Sequence, residues 1–158
     1  MGTRIGIGYD VHRLVPGRLL KLGGVTIPCE RGLLGHSDAD AVLHALCDAL
    51  LGAAGQPDIG ELFPDSDARW KDADSRRFVE EALHRASNAG YSVANVDLVI
   101  HAQQPRLGPH KEQIRAAVAQ LVGVPRDAVG VKATTNEGLD AIGRGEAIAC
   151  WAAVLLQT

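Results

Sequence analysis

Apolar residues recur along this chain in two rhythms, and the places where one gives way to the other sketch a fold. Arg4 to Tyr9 reads as a glycine-containing strand, and the D-x-H of Asp10 and His12 falls at its end. Leu19 to Leu22 and Val25 to Pro28 read as two short strands joined by Gly23-Gly24, a hairpin signal. From Ala39 to Ala54 the residues Val42, Leu43, Leu46, Leu50 and Leu51 recur at helical spacing; Ser37 or Asp38 can cap this helix, and Asp40 suits the positive end of its dipole. Ser75 to Asn88 predicts an amphipathic helix with Phe78, Val79, Ala82, Leu83 and Ala86 on one face. Tyr91 to His101 reads as a strand, Pro109 to Val122 as a helix, and Val129 to Thr134 as a strand. Gly145 to Leu156 is nearly all apolar, as expected of a strand buried on both faces. The order βββ, α, α, β, α, β, β predicts an α+β fold, one sheet with helices packed on one side, in a single domain over residues 1–158.

Between the first two helices, Gln56 to Asp74 lacks either rhythm and carries Pro57, Gly60, Pro64 and five aspartates, Asp58, Asp65, Asp67, Asp72 and Asp74. So long a connection inside a compact domain points to function.

Composition narrows the classes. The 158 residues are 46% hydrophobic with a formal charge of −3, a balance that argues against nonspecific nucleic-acid binding, which needs a surplus of Lys and Arg. No apolar run approaches the ~20 residues of a membrane span, and Met1 leads through Thr3 and Arg4 into the first strand without a signal-peptide segment. A cytoplasmic protein is the expectation, or a plastid stromal one if a transit peptide has been removed. Cys29, Cys47 and Cys150 are odd in number and share no C-x-x-C spacing, so reduced, mostly buried thiols are expected. Aromatic residues make up only 4% against 18 glycines, which suggests close backbone approaches and hints at self-assembly.

Asp10 and His12, two residues apart on a strand, project from the same face and can share one ion. Alone, such a pair is far more often a solvated loop feature than a metal site. His44 adds to it: it sits mid-helix among Val42, Leu43, Ala45 and Leu46, where an unpartnered imidazole is costly to desolvate. One carboxylate and two imidazoles form the donor set of catalytic Zn²⁺, three protein ligands with a fourth position open. Asp40 and Asp48 flank His44 by one turn each way, where a carboxylate can accept its second ring N–H.

Four segments in order, GYDVHRL, GHSDADAVLHALCDALLGAAGQPDIGELFPDSD, AQQPRLGPH and KATTNEGLDAIGRGEAIAC, resemble the 2-C-methyl-D-erythritol 2,4-cyclodiphosphate synthase family end to end. The resemblance implies an α+β subunit with a four-stranded sheet, assembled as a homotrimer with its active sites between subunits. It implies Zn²⁺ at Asp10, His12 and His44, with Asp10, Val11 and His12 also among the substrate contacts. Glu137, in Thr134-Thr135-Asn136-Glu137, corresponds to the residue holding a second divalent cation, Mg²⁺ or Mn²⁺, on the substrate's phosphates. His36 and Ser37 match a pair contacting phosphate and the erythritol portion, and His36 with Thr135 matches the pair that stabilises the transition state. Asp58, Ile59 and Gly60 match the segment holding the methylerythritol hydroxyls, and Phe63, Pro64, Asp65, Ser66 and Asp67 the rest of a flexible loop. Ala102, Gln103, Gln104, Pro105, Arg106, Leu107 and Gly108 match the cytosine pocket, with Arg106 where lysine is frequent. Around an axial channel that in some members holds an isoprenoid diphosphate, Arg144 is retained. Ala141 stands where phenylalanine is frequent, and Trp151 where glutamate is.

The implied reaction brings the 2-phosphate of 4-diphosphocytidyl-2-C-methyl-D-erythritol 2-phosphate onto its own β-phosphorus and expels CMP. Alignment and charge neutralisation dominate such a step, and backbone N–H groups from Ser37 to Ala39 are expected to assist the two cations. An open Asp-His-His site can also activate water, so a zinc hydrolase remains an alternative, as does a trimeric module that only binds isoprenoid diphosphates.

Overall fold

The computed structural model describes residues 2–158; Met1, on which the expectation of a leaderless start rests, lies outside the described residues. Strand β1 (Thr3–Pro16) pairs antiparallel with β7 (Ala147–Gln157) along nearly its whole length. Between them in sequence come the hairpin β2 (Leu20–Leu22) and β3 (Val25–Ile27), strand β4 (Arg31–Leu34), helix α1 (Ala41–Ala53), one-turn helix α2 (Ile59–Leu62) and helix α3 (Arg76–Asn88). Strand β5 (Ser92–His101), helix α4 (Lys111–Val122), strand β6 (Val129–Thr134) and short helix α5 (Asp140–Gly143) complete the chain. The main sheet runs β4-β1-β7-β5-β6, with only the β5–β6 pair parallel, joined through α4.

The expected four-stranded sheet is therefore five-stranded, with the hairpin apart as its own two-stranded sheet. β1 continues past Tyr9 to Pro16, so Asp10 and His12 lie inside a strand rather than at its end. Its extra length receives β4, which pairs from Arg13↔Leu34 to Pro16↔Arg31. β4 has only four residues, includes Gly32 and shows no alternation, so it left no periodic signal.

The alternation of β1 is inverted relative to an ordinary half-buried strand. Gly6, Gly8, Asp10, His12 and Leu14 face the helices, whereas Ile5, Ile7, Tyr9 and Val11 face away. The inward glycines exist for the helix: a Cβ on Gly6 would lie 1.9 Å from the Ala49 carbonyl oxygen, and one on Gly8 2.0 Å from that of Ala45. Helix α1 thus lays its Ala45, Ala49 and Ala53 stripe on the bare backbone of β1. Every residue of α1 except His44, Asp48 and Gly52 is buried, which suits a helix that is apolar nearly all round.

The N-cap of α1 is Asp40, not Ser37 or Asp38. Its fully buried carboxylate accepts from Leu43 N (3.0 Å), Gly23 N (2.9 Å) and Gly24 N (2.7 Å), tying the hairpin turn to the helix start. Gly23 and Gly24 both have positive φ, as a two-residue hairpin turn requires. Helix α3 buries Phe78, Val79, Ala82 and Ala86 against this core.

β7 is not buried on both faces in a single chain. Trp151 (47% exposed) and Leu155 line up across from Tyr9 and Ile5, and the Tyr9 and Trp151 rings meet at 4.6 Å. With Ile7 and Val11 they form a continuous apolar patch on the side away from the helices. Cys47 and Cys150 are buried and Cys29 exposed, all three unpaired; burial pushes the Cys47 and Cys150 thiols up, so neither is a thiolate. Among the described residues no helix is long and apolar enough to cross a membrane.

Candidate active site and metal centre

Because α1 rests directly on β1, the helix brings His44 beside the inward-facing Asp10 and His12. Asp10 Oδ2 lies 2.7 Å from His12 Nε2 and 3.5 Å from His44 Nδ1, and the two nitrogens are 3.2 Å apart. A tetrahedral ion with bonds of ~2.0–2.1 Å holds its ligand atoms ~3.3 Å from one another, so this triangle is already the base of such a site. No other group of three candidate ligands occurs among the described residues.

Two further observations fit a cation. Asp10 Oδ2 is buried and has no well-formed hydrogen bond, an orphaned acceptor pointing at the two rings. His12 Nδ1 lies 2.9 Å from the Leu34 carbonyl, which can only accept, so the proton sits on Nδ1 and Nε2 offers its lone pair to the centre. Without metal the charges adapt. Burial alone would raise the Asp10 carboxyl, but His12 and His44 outweigh it and hold it down to about 2. Burial would lower His12, and Asp10 reverses that to a net rise.

These ligands form one wall of a cavity of ≈ 390 Å³ that also takes in His36, Ser37, Ile59, Gly60, Phe63, Asp65, Trp70 and Phe78. The long Asp-rich connection is ordered around it. Asp58 caps α2 by accepting from Glu61 N (2.9 Å), and Asp48 accepts from Ile59 N (2.8 Å). Asp67 starts a 3-10 turn over Ala68–Trp70, and its carbonyl accepts from His36 Nε2 at 3.2 Å. Phe63, Trp70 and Phe78 pack together with ring centroids 4.6–5.6 Å apart, and Phe78 in turn lies 5.8 Å from the His44 ring.

The sequence-predicted residues separate into groups. Gln103, Gln104, Pro105, Arg106 and Thr135 line a second concavity of ≈ 630 Å³ with Cys29, Glu30 and Arg31, apart from the metal centre. Ala102 and Leu107 are buried beneath it, and Ala102 N donates to Thr134 O (3.0 Å). Pro64, Ser66 and Gly108 line neither concavity. Val11 lies between the two ligands in sequence but on the opposite, exposed face. Glu137 is exposed at positive φ on the loop after β6 and joins no ligand cluster. Beside it His101 Nδ1 donates to Asn136 Oδ1 (2.9 Å), and Asn136 Nδ2 to Asp140 Oδ2 (2.9 Å). Arg144 pairs with Glu146 at 2.9 Å, with half-buried Ala141 nearby in sequence.

Two expectations about His44 and its helix are corrected. Neither Asp40 nor Asp48 reaches its second ring nitrogen, because both carboxylates are engaged by backbone N–H groups; His44 Nε2 instead lies 2.8 Å from Ser75 Oγ and 3.1 Å from Ser37 Oγ. The N–H groups of Asp38 and Ala39 are not free for phosphate either, since they donate to Ala73 O (3.0 Å) and Ser37 Oγ (3.2 Å).

The model of the YgbB family matches residues 3–157. The chain belongs to the YgbB family. A relative from Salinibacter ruber named 2-C-methyl-D-erythritol 2,4-cyclodiphosphate synthase is 54% identical over 155 residues, which cover 98% of this chain and 99% of its own. A solved 2C-methyl-D-erythritol-2,4-cyclodiphosphate synthase in a CDP-bound form matches with a TM-score of 0.90 at 43% identity, over 98% of this chain and 100% of that one. The bifunctional IspDF from Campylobacter jejuni matches with a TM-score of 0.94 at 39% identity; 98% of this chain is covered but only 42% of that longer one. The resemblance drawn from the four segments is borne out.

Within this YgbB fold, several site residues carried no sequence signal. Ser75 looked like a helix start, Phe78 like core, and Trp70, whose buried Nε1 has no partner, like one more loop residue. Arg18, which donates to Leu33 O (2.6 Å) and Ser37 O (3.0 Å) and so fixes the segment bearing His36, lies far from that segment in sequence.

Proposed function

We propose that the chain converts 4-diphosphocytidyl-2-C-methyl-D-erythritol 2-phosphate to 2-C-methyl-D-erythritol 2,4-cyclodiphosphate and CMP, as the names of its relatives suggest. The observation that carries the reading is the triangle of Asp10, His12 and His44 ligand atoms on the wall of a cavity that also presents His36, Ser37 and Asp65. In this reading Asp10, His12 and His44 hold Zn²⁺, whose nitrogen-rich set with an open position suits that ion. When bound, the metal supplies positive charge against the substrate's phosphates.

The protein's own part is placement. His36 and Ser37 at the cavity rim hold a phosphate and the erythritol portion, with His36 steadied by the Asp67 carbonyl. Asp58, Ile59 and Gly60 take the hydroxyls, and the Phe63, Trp70 and Phe78 rings keep water from the reacting phosphorus. Gln103 to Arg106 take the cytosine end in the second concavity, Thr135 on its edge joins His36 of a neighbouring subunit in stabilising the transition state at a site between subunits, and Glu137 holds the second divalent cation. The nucleophile is itself a phosphate and needs no general base. Because it is tethered to its electrophile, alignment alone can supply on the order of 7 kcal/mol. A homotrimer is part of the proposal, supported by the exposed apolar patch of Ile5, Ile7, Tyr9, Trp151 and Leu155, the kind of surface that marks a protein interface.

Incubation with the cytidyl substrate, with and without chelator, tests the reading. CMP with a cyclic diphosphate, abolished by chelator and restored by Zn²⁺, is expected. A linear phosphate product would establish hydrolysis instead.

A further inference from the structure

We propose that Asp38 and Ser75 are positioning residues for His44: together they fix the imidazole hydrogen on Nε2 and so turn the Nδ1 lone pair onto the metal centre. The proposal rests on the reading of Asp10, His12 and His44 as metal ligands.

The argument is an inventory of hydrogens. Asp38 Oδ2 accepts from Ser75 N at 3.1 Å and Asp38 Oδ1 from Asp40 N at 3.1 Å, so both oxygens of this carboxylate act as acceptors. Ser75 Oγ donates to Asp38 Oδ1. A hydroxyl has one hydrogen, and that contact uses it, so Ser75 presents only lone pairs to His44 Nε2, 2.8 Å away. Two lone pairs at that separation repel, and the contact is attractive only if Nε2 carries the hydrogen. The neutral ring is then an acceptor at Nδ1, the atom 3.5 Å from Asp10 Oδ2 and 3.2 Å from His12 Nε2. Ser37 Oγ, 3.1 Å from Nε2, already accepts from Ala39 N and is the longer of the two contacts, which leaves its own hydrogen for the cavity.

A second observation separates this role from a structural one. Ser75 occupies the N-cap of α3, the position where a serine hydroxyl ordinarily accepts from the helix's first N–H groups, and it makes no such bond. The nearby Arg76 N goes to Asp74 Oδ1 (2.9 Å) instead. Arg77 N goes to Asp74 O (3.1 Å) and Phe78 N to Ser75 O (3.1 Å), so the helix start is satisfied without the fully buried Ser75 hydroxyl, whose contacts are Asp38 and His44. The equivalent partner of His12 is the Leu34 carbonyl, which no substitution removes, so His44 is the ligand whose orientation depends on side chains.

The test reads hydrogen position and metal affinity rather than turnover. In ¹⁵N-imidazole NMR of the metal-free protein, His44 is expected as the Nε2–H form. Ser75→Ala and Asp38→Asn should bind Zn²⁺ roughly 10–100-fold more weakly in competition with a chromophoric chelator, with folding checked by circular dichroism. Asp38→Asn should also shift His44 toward Nδ1–H, because the new amide can donate to Ser75 and free its hydroxyl to turn. An Nδ1–H ring in the unsubstituted protein, or unchanged affinity in a folded Ser75→Ala protein, overturns the proposal. Should the variants not fold, the NMR of the unsubstituted chain decides alone. Failure of that chain to bind any metal would sink the ligand reading while leaving the hydrogen position measurable.

Discussion

Replacing Gly8 by alanine should damage the metal centre more than any comparably small change on the surface. The added Cβ would lie 2.0 Å from the Ala45 carbonyl oxygen and 2.8 Å from Ala49 N, both backbone atoms that no rotamer can clear. Restoring a contact near ~3.5 Å requires β1 and α1 to part by ~1.5 Å. Gly8 is two residues before Asp10, and Ala45 directly follows His44, so the separation passes straight into the ligand triangle. Its His44–Asp10 edge is 3.5 Å now, and bonds of ~2.0–2.1 Å leave no room to absorb such a shift. The expected result is a loss of about 1–3 kcal/mol in stability from overpacking and roughly 100-fold in turnover from misplacement, with Zn²⁺ affinity falling alongside. Thermal melts, chelator competition and product formation measure the three. Gly52→Ala, on the exposed side of the same helix where a Cβ meets nothing within 4 Å, is the control and should stabilise by about 0.4–1 kcal/mol. A Gly8→Ala protein with the parent's melting temperature and zinc affinity would refute the reasoning.

Other expectations follow from single contacts. His12→Ala should lose bound zinc and nearly all activity while keeping its circular dichroism spectrum, because β1 is held by its ladders to β4 and β7; zinc at full occupancy would count against it. Asp40→Ala orphans the N–H groups of Gly23, Gly24 and Leu43 and should cost about 3 kcal/mol in urea unfolding; a shift of a few tenths would show the cap to be dispensable. Glu137→Ala should retain zinc yet lose its response to added Mg²⁺, and an unaltered Mg²⁺ dependence would remove the second-cation role. Trp151→Asp, which places a charge in the exposed apolar patch, should yield monomers by light scattering, whereas an intact trimer would mean that another surface assembles it.

The hairpin was legible because Gly23-Gly24 can take two positive φ values in succession, and the helices because a periodic apolar pattern some thirteen residues long has few other uses. The candidate metal set was legible in type, since an imidazole on an otherwise apolar, buried helix and a D-x-H on a strand both require explanation. β4 was not, because four residues with a glycine have no period to detect.

What the order of residues determined by itself was the family, the kinds of element and the chemistry of the donor atoms, all of which are properties of neighbours along the chain. Which face of β1 looks inward was decided only by packing. Alternation is symmetric between the two sides, and here the apolar set of Ile5, Ile7, Tyr9 and Val11 faces away while glycines and ligands face the helix. The same is true of the partners of His44: Asp40 and Asp48 are its neighbours along the helix, but Ser75, thirty-one residues on, makes the contact, because the docking of α3 on α1 sets that distance.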